Sequence, residues 1–342
     1  MQENLAETID PRPEGHLEEL KGPLAERLRG AKSVFVCDNK PATLKVVKAL
    51  VVGSKEGKKF FAANPRKVEA AVPELKDSVE KPKPAGEGGK MSPDLEEPST
   101  KFAISTGEPD PLLGFVDAPM ALAYMGVPGA RRTAYKKRDG DSPQPLREGS
   151  PSYEAVRAEL EPVRDITFAT VITRGGEPYS AVEGDAARQA RASYVSPEVP
   201  QMKGLVVGPG GKGYDDTLSH SIRLCLGALK GVRKGGEVVM IAECRDGVGS
   251  EALQMYLTGR MTEAFVRKGS YVEGIEEISY VTELNEKYSV TLLSSLPELY
   301  AGGKLKFRTA RGSGEALRKV FSAVGRTAKL NVVTRACETV FP

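Results

Sequence analysis

The sequence predicts an α/β protein with two doubly wound domains, mainly parallel sheets and a cleft between them. The first observation behind this prediction is that short, β-branched apolar runs alternate with helical patterns, most regularly after residue 200. Strands separated by helices form parallel sheets. The second observation is size, because 342 residues with 40% hydrophobic content fit two domains with ordinary apolar cores.

The first half opens with a strand, a polar turn and a helix. Residues 33–37 form a β-branched and aromatic run, and Pro41 begins a helical pattern as a first-turn proline. The later patterns predict, in order, strand 60–63, helix 66–75, strand 101–105, helix 152–161, strands 166–172 and 179–182, and helix 185–193. Two stretches have no such pattern: residues 76–100 predict a linker or excursion loop, and residues 106–150 predict a long irregular segment.

The second half alternates without long interruptions. Its patterns predict strand 204–207, helix 217–230, strand 237–242, helices 251–257 and 275–287, strands 289–293 and 305–309, helix 315–324 and strand 330–334. Prolines within residues 194–202 indicate a domain boundary. We therefore expect a surface segment over 1–24, a first domain over 25–194 and a second domain over 195–342.

Charge and hydropathy exclude several kinds of partner. Lys and Arg total 49 against 46 for Asp and Glu, and a net charge of +3 predicts neither nucleic acid nor an anionic membrane surface as a partner. No apolar run approaches the ~18 residues of a membrane span. The first residues lack the pattern of a secretory signal, so we expect a cytoplasmic protein.

Cysteine and histidine are scarce. The four cysteines include no Cys-x-x-Cys pair, which excludes a zinc ribbon and a disulfide framework. The two histidines, His16 and His220, are too few for a three-histidine metal site. We therefore expect no metal ligands in this chain.

Three loops follow predicted strands, where ligands of open α/β sheets bind. They span residues 38–41, 208–216 and 243–250. In the second loop, the amides of Gly210 and Gly211 could receive a carboxylate or phosphate, with Lys212 beside them. The alternative is that this loop is only a tight turn from strand to helix.

The helix after the glycine loop carries two candidate functional side chains. Leu218, Ile222 and Cys225 form its buried stripe, and His220 and Arg223 lie at i and i+3 on an adjacent face. Histidine titrates near neutral pH, and arginine presents a permanent fork to a carboxylate. The alternative is a solvated helix face.

The other two loops supply further candidates. Lys40 could meet an anion, whereas Asp38 beside it could cap the following helix. Glu243 and Cys244 follow an apolar strand, and Cys244 would be a reactive thiol if its pKa were lowered. The alternative for Cys244 is a small buried residue at the end of a strand.

Several segments together resemble one known family. Residues 208–253 (GPGGKGYDDTLSHSIRLCLGALKGVRKGGEVVMIAECRDGVGSEAL) resemble one segment of that family. In the family, this segment consists of a glycine loop, a helix, a Lys-x-Gly-Gly turn and a strand that ends in Ala-Glu-Cys. Residues 33–47 resemble a strand and loop reading Asp-His-Thr-Arg-Pro, and residues 107–120 resemble a loop that ends in a lysine. The resemblance extends to residues 148–156, 165–191 and 289–299. The family is the nickel-dependent lactate racemases and their relatives.

The resemblance implies a cleft for 2-hydroxy acids, a lysine-bound nickel-pincer nucleotide and two histidines that transfer protons. This chain departs from the family at those positions, because Met120 falls at the lysine, Asp110 at a histidine and Asn39 at the histidine of the first loop. On the same alignment, His220 and Arg223 replace a Gln and a Lys that help to bind cofactor or substrate. Which cofactor this chain uses therefore stays open.

Three functions of different classes are open. The first is a divergent lactate-racemase-like isomerase that binds a 2-hydroxy acid or similar small carboxylate through Arg223, Lys40 and the glycine-loop amides. His220 would move a proton, with Asp110, Glu243 or Cys244 as its candidate partners, and Asp38 is a further possible site residue. The second is a non-catalytic paralogue that senses a ligand, regulates or binds a partner. A third option is a nucleotide- or anion-binding domain in which the glycine loop holds a phosphate.

Overall fold

Two six-stranded sheets form the centre of the computed structural model, which describes residues 6–9, 15–140, 143–147, 149–183, 186–196, 199–262, 265 and 271–341. The strands are β1 Ala6–Ile9, β2 Ser33–Val36, β3 Lys59–Ala62, β4 Val79–Glu80, β5 Lys101–Thr106, β6 Glu108–Asp110, β7 Gly114–Val116, β8 Ile166–Arg174, β9 Glu177–Val182, β10 Met202–Val207, β11 Val232–Ile241, β12 Ser289–Leu293, β13 Arg308–Thr309 and β14 Leu330–Val333.

Helices lie between most consecutive strands. They are α1 Leu17–Gly30, α2 Pro41–Val51, α3 Pro65–Ala71, α4 Pro93–Glu96, α5 Ala118–Gly126, α6 Ala130–Lys137, α7 Pro151–Glu159, α8 Ala186–Tyr194, α9 Leu218–Cys225, α10 Glu251–Leu257, α11 Ile275–Lys287, α12 Glu298–Gly302 and α13 Ser313–Val324. Short 3₁₀ helices span Pro73–Leu75, Leu226–Gly231 and Ala336–Glu338. None of the helices in the described part of the chain is long and apolar enough to cross a membrane.

The first sheet has the order β4-β3-β2-β5-β8-β9, and its pairs are parallel except for β8 with β9. Alternate residues of a strand face opposite sides of the sheet. Val34 and Val36 therefore pack against α1, α2 and α3, whereas Phe35 packs against α4, α5 and α7. Helices cover both faces, and we call this sheet with its helices the first lobe.

The second sheet has the order β1-β14-β10-β11-β12-β13 and is parallel throughout. Val238 and Met240 pack against α9 and α11 on one face, and Val239 packs against α13 on the other. This sheet and its helices form the second lobe. The α/β class, the doubly wound architecture and the mainly parallel sheets predicted from the sequence are confirmed.

Some elements differ from the sequence expectation. The structure places β1, from the expected surface segment 1–24, at the edge of the second sheet, where Ala6 pairs with Leu330. Within the expected linker 76–100, β4 pairs with β3, and Met91 and Leu95 are buried. The predicted helix start at Asp185 lies outside the described residues. The domain boundary stays a prediction.

Candidate functional site

A cavity of about 330 Å³ lies between the two lobes, where loops at the carboxyl ends of strands from both sheets meet. Parallel strands end at the same edge of a sheet, so side chains from distant parts of the chain converge there. We call this cavity the cleft. Its polar lining residues are Asp38, Asn39, Lys40, Asn64, Lys67, Glu108, Tyr124, Arg131, Asp216, Thr217, His220, Arg223 and Asp246.

Glu108 is the central acid of the cleft. It lies two residues after β5 and faces two basic side chains, because Lys40 Nζ lies 2.9 Å and His220 Nε2 lies 3.0 Å from its carboxylate. Burial by itself raises the pKa of Glu108, but the charges of His220 and Lys40 outweigh burial and hold the pKa well below its usual range. Glu108 is therefore ionised at neutral pH.

His220 lies in the first turn of α9, where Thr217 caps the helix by accepting a hydrogen bond from the His220 amide. Its Nε2 faces Glu108, whereas its Nδ1 has no hydrogen-bond partner among the described residues. The ring of Tyr214 stacks beside it at a centroid distance of 6.5 Å. A carboxylate on one ring nitrogen fixes the orientation of the imidazole and leaves the other nitrogen available for proton transfer.

Lys40 is held at the opposite side of Glu108. Its Nζ donates to the Thr106 carbonyl at 3.2 Å and lies 3.7 Å from Asp38 Oδ2. Burial lowers the pKa of Lys40, but the carboxylates of Glu108 and Asp38 outweigh burial and raise the pKa above its usual value. The ammonium therefore stays charged. Asp38 also accepts hydrogen bonds from the Lys40 and Thr106 amides, which fixes the 38–41 loop to the end of β5.

Arg223 lies one turn after His220 on α9, and its side chain is only 12% exposed. Its nearest carboxylate oxygen is Asp110 Oδ2 at 3.9 Å, beyond hydrogen-bond distance. Asp110 instead accepts hydrogen bonds from the Leu112 and Leu113 amides. Within the described part of the chain, the guanidinium of Arg223 donates no hydrogen bond, and its Nε is buried. Arg223 is therefore a buried cation with free donors at the cleft wall.

Two adjacent glutamates in the first turn of α11, Glu276 and Glu277, place two further carboxyl groups near Arg223. Glu277 is fully buried and accepts a hydrogen bond from Ser219 Oγ at 2.5 Å. Burial and the neighbouring Glu277 raise the pKa of Glu276 to about 7. The second carboxylate oxygens of both residues have no partner among the described residues. Burial lowers the pKa of Arg223, but the carboxylates of Asp110, Glu277 and Glu108 outweigh burial and raise it.

The structure separates the other predicted residues from the cleft. Gly210, Gly211 and Lys212 do not line it, and Lys212 is exposed. Glu243 is exposed outside the cleft, and Cys244 is buried with its thiol pKa raised to about 12.

The end of the same glycine loop does reach the cleft. Gly213 lines it, and a Cβ added there would lie 2.9 Å from Pro41, so only glycine allows the two lobes to approach so closely.

Five charged residues line the cleft besides those predicted from the sequence, namely Lys67, Glu108, Arg131, Asp216 and Asp246. Lys67 from the first lobe lies 3.1 Å from Asp216 Oδ2 and 2.8 Å from Asp246 Oδ2, both in the second lobe, and thus bridges the lobes. Glu108 is the residue among them that a sequence rule could have identified. It comes two residues after β5, so the strand-end rule that singled out Asp38 could have found it.

Comparison with known proteins identifies the fold. No protein-family model and no curated protein matches the sequence. The lactate racemase apoprotein from Thermoanaerobacterium thermosaccharolyticum is 14% identical over 100% of this chain and 95% of that chain, with a TM-score of 0.70. A structural-genomics target protein from Thermotoga maritima is 13% identical over 98% of this chain and 99% of that chain, with a TM-score of 0.65. This chain therefore has a divergent lactate-racemase-like fold.

The side chains do not fit the nickel-pincer nucleotide that the sequence resemblance implies. Met120, aligned with the cofactor lysine, has no amine and is fully buried in the core of the first lobe. His220 is the one histidine that lines the cleft. No group of three or more His, Cys, Asp or Glu residues in the described ranges could hold a metal ion. The residues that the structure describes therefore supply neither a lysine at the aligned attachment position nor a ligand set for that cofactor.

Proposed function

We propose that the protein binds a 2-hydroxy acid or a similar small carboxylate in the cleft. The observation that carries this proposal is Arg223, a buried guanidinium that makes no hydrogen bond within the described residues. Buried donors without acceptors are unfavourable, and a ligand carboxylate would supply acceptors in the planar geometry of the guanidinium. The cleft volume of about 330 Å³ is at the small end of the range for ligand pockets.

The proposal gives His220 the role of acid and base. With the carboxylate on Arg223, a hydroxyl or a C–H at the neighbouring carbon would face His220, three residues away on the same helix. Nδ1 would accept or donate the proton, while Glu108 on Nε2 stabilises the imidazolium. Lys40 supports this by keeping Glu108 ionised. The reaction class is proton transfer of the racemase or epimerase type.

The second candidate is a protein that binds the carboxylate without turning it over. The observation that favours it is Met120, because no amine is present where the resemblance places the cofactor lysine. Removal of a proton from the carbon of a hydroxy acid needs an electron sink, and none of the cleft side chains is one. The two candidates share the binding site and differ only in whether His220 exchanges a proton with carbon.

One experiment separates these candidates. The protein is titrated with D-lactate, L-lactate and glycolate by calorimetry, and C2–H exchange in D₂O is followed by NMR. Arg223→Gln should weaken binding about 10- to 100-fold, because it removes a charge-assisted hydrogen bond. His220→Ala should abolish exchange and preserve most of the binding. His16→Ala, which alters the surface histidine on the first lobe, is the matched control.

The outcomes have distinct meanings. Binding with exchange supports the isomerase, and binding without exchange supports the ligand-binding protein. If these carboxylates bind wild type and Arg223→Gln equally, or do not bind at all, the assignment of the cleft is wrong.

A further inference from the structure

A second cavity, of about 590 Å³, lies at the junction of the two lobes and shares no lining residue with the cleft. The first lobe contributes residues 143–147 and Arg191 to its walls. The second lobe contributes residues 226–227, 229–230, 283–284, 287–288 and 340–341. We call this space the junction cavity. Cavities between lobes are favoured places for small-molecule ligands.

The floor of the junction cavity is apolar. Leu226, Leu284 and Phe341 belong to the core of the second lobe and are at most 7% exposed. Leu146 and Val340 complete the floor and are also buried. A ligand resting on this floor would therefore need an apolar body.

The rim of the cavity is basic. Its charged residues are Arg147, Arg191, Lys230, Lys287 and Glu283, four cations against one anion. Lys287 pairs with Glu283, and Arg147 pairs with Asp139 at 2.6 Å. Lys230 is exposed and makes no ion pair or hydrogen bond with any described residue. Among the described residues, Lys230 is thus a cation of the rim without an acidic partner.

We propose that the junction cavity binds an organic anion with an apolar body, such as a fatty acid or an aromatic sulfonate or carboxylate. The apolar part lies on the floor formed around Leu226 and Phe341, and the anionic group lies at the rim near Lys230. Burial of the apolar part supplies binding free energy, and the basic rim selects for charge. This site is separate from the cleft and does not depend on the function proposed for it.

The junction cavity also lies close along the chain to the candidate site. The 3₁₀ helix at Leu226–Gly231 follows α9, which carries His220 and Arg223. A ligand in the junction cavity would therefore contact the extension of the helix that builds the cleft, and it would touch both lobes.

The test uses 8-anilinonaphthalene-1-sulfonate as the probe, with its fluorescence followed at increasing concentration on the full-length protein. We expect saturable binding of one probe per chain and displacement by decanoate. The neutral analogue N-phenyl-1-naphthylamine should bind at least about fivefold more weakly. Lys230→Glu should weaken probe binding about tenfold, because it reverses a charge at the rim.

Two further variants locate the probe. Lys234→Glu makes the same charge change at an exposed lysine that lies outside the junction cavity, and it should leave probe affinity within about twofold of wild type. Arg223→Gln should also leave it unchanged, because Arg223 lines the cleft. The proposal is overturned if the probe does not saturate, if both lysine variants weaken it equally, or if Arg223→Gln weakens it more than Lys230→Glu does. Circular dichroism confirms that each variant is folded.

Discussion

Replacement of Glu108 by glutamine tests the electrostatic centre of the cleft. Glu108 and Lys40 are each only 7% exposed at their side chains and approach to 2.9 Å. Glutamine keeps the size and hydrogen-bonding capacity of the side chain but removes its charge. The change therefore leaves the Lys40 ammonium buried with Asp38, at 3.7 Å, as its nearest remaining carboxylate.

The size of the effect follows from this geometry. At 2.9 Å and an effective dielectric constant of about 20, the attraction between the two charges is about 6 kcal/mol. Desolvation of both groups offsets part of it, and removal of one partner of a buried pair lowers the free energy of unfolding by about 3 to 5 kcal/mol. We expect a loss in the lower part of this range, because Asp38 partly neutralises Lys40.

The pH dependence gives an independent check. The folded-state pKa of Glu108 is held well below the unfolded value of about 4.3. Its contribution to stability is therefore fully present above that unfolded value and is lost as the pH falls towards the folded pKa. Accordingly, the difference between wild type and Glu108→Gln should be constant near neutral pH and shrink below about pH 5.

The assay is urea unfolding at pH 7 and pH 4 of Glu108→Gln, Lys40→Met and the double variant. The double variant should be more stable than the sum of the single losses predicts, by at least about 1.5 kcal/mol. Glu243→Gln, at an exposed glutamate outside the cleft, is the matched control and should change stability by less than about 0.5 kcal/mol. Additive single losses, or a Glu108→Gln variant as stable as the control, would refute the buried ion pair.

Three further predictions concern other parts of the fold. Gly210→Ala should lower the free energy of unfolding in urea by about 2 kcal/mol, because φ at Gly210 is +141° and the new Cβ would lie 2.5 Å from Cys337 Sγ. Gly211→Ala, at φ +80° with open space around it, should lower it by only about 1 kcal/mol. Equal losses would contradict the close contact between a Cβ at position 210 and Cys337. Ellman's reagent at pH 8 should find no rapidly reacting thiol in the native protein and four thiols after unfolding. All four cysteines are buried, and the thiol pKa of Cys244 is raised to about 12. One rapidly reacting thiol in the native protein would disprove the burial of the cysteines. Met120→Lys should lower the melting temperature by more than about 6 °C by placing an amine in the core, and an unchanged value would show that this position can hold a lysine after all.

Three of the residues that line the cleft could be singled out from the sequence. His220 and Arg223 were placed on one helix face by their i, i+3 spacing, and both line the cleft from α9. Lys40 was placed in a strand-end loop and lies opposite them. These positions follow from local rules, because helical spacing and strand ends are visible in a few consecutive residues. The roles of the three residues stay predictions.

Other parts of the cleft could not be predicted in this way. Glu108 lies in a stretch without periodicity, and its importance comes from Lys40 and His220, which lie far from it along the chain. The glycine loop was expected to present Gly210 and Gly211, yet Gly213 is the glycine that reaches the cleft. The packing of the two lobes decides which glycine of the loop faces the other lobe. The spacing of the glycines in the sequence contains no information about that packing.

The alternation of strands and helices can be read from the amino-acid sequence alone, because apolar periodicity is a local property that burial on one or both faces imposes. The order of the strands cannot, and it includes the pairing of Ala6 with Leu330 across nearly the whole chain. The same is true of the contact between Glu108 of the first lobe and His220 of the second. Both are contacts between residues distant in the chain, and their free energy exists only once the two sheets have formed and their strand ends face each other.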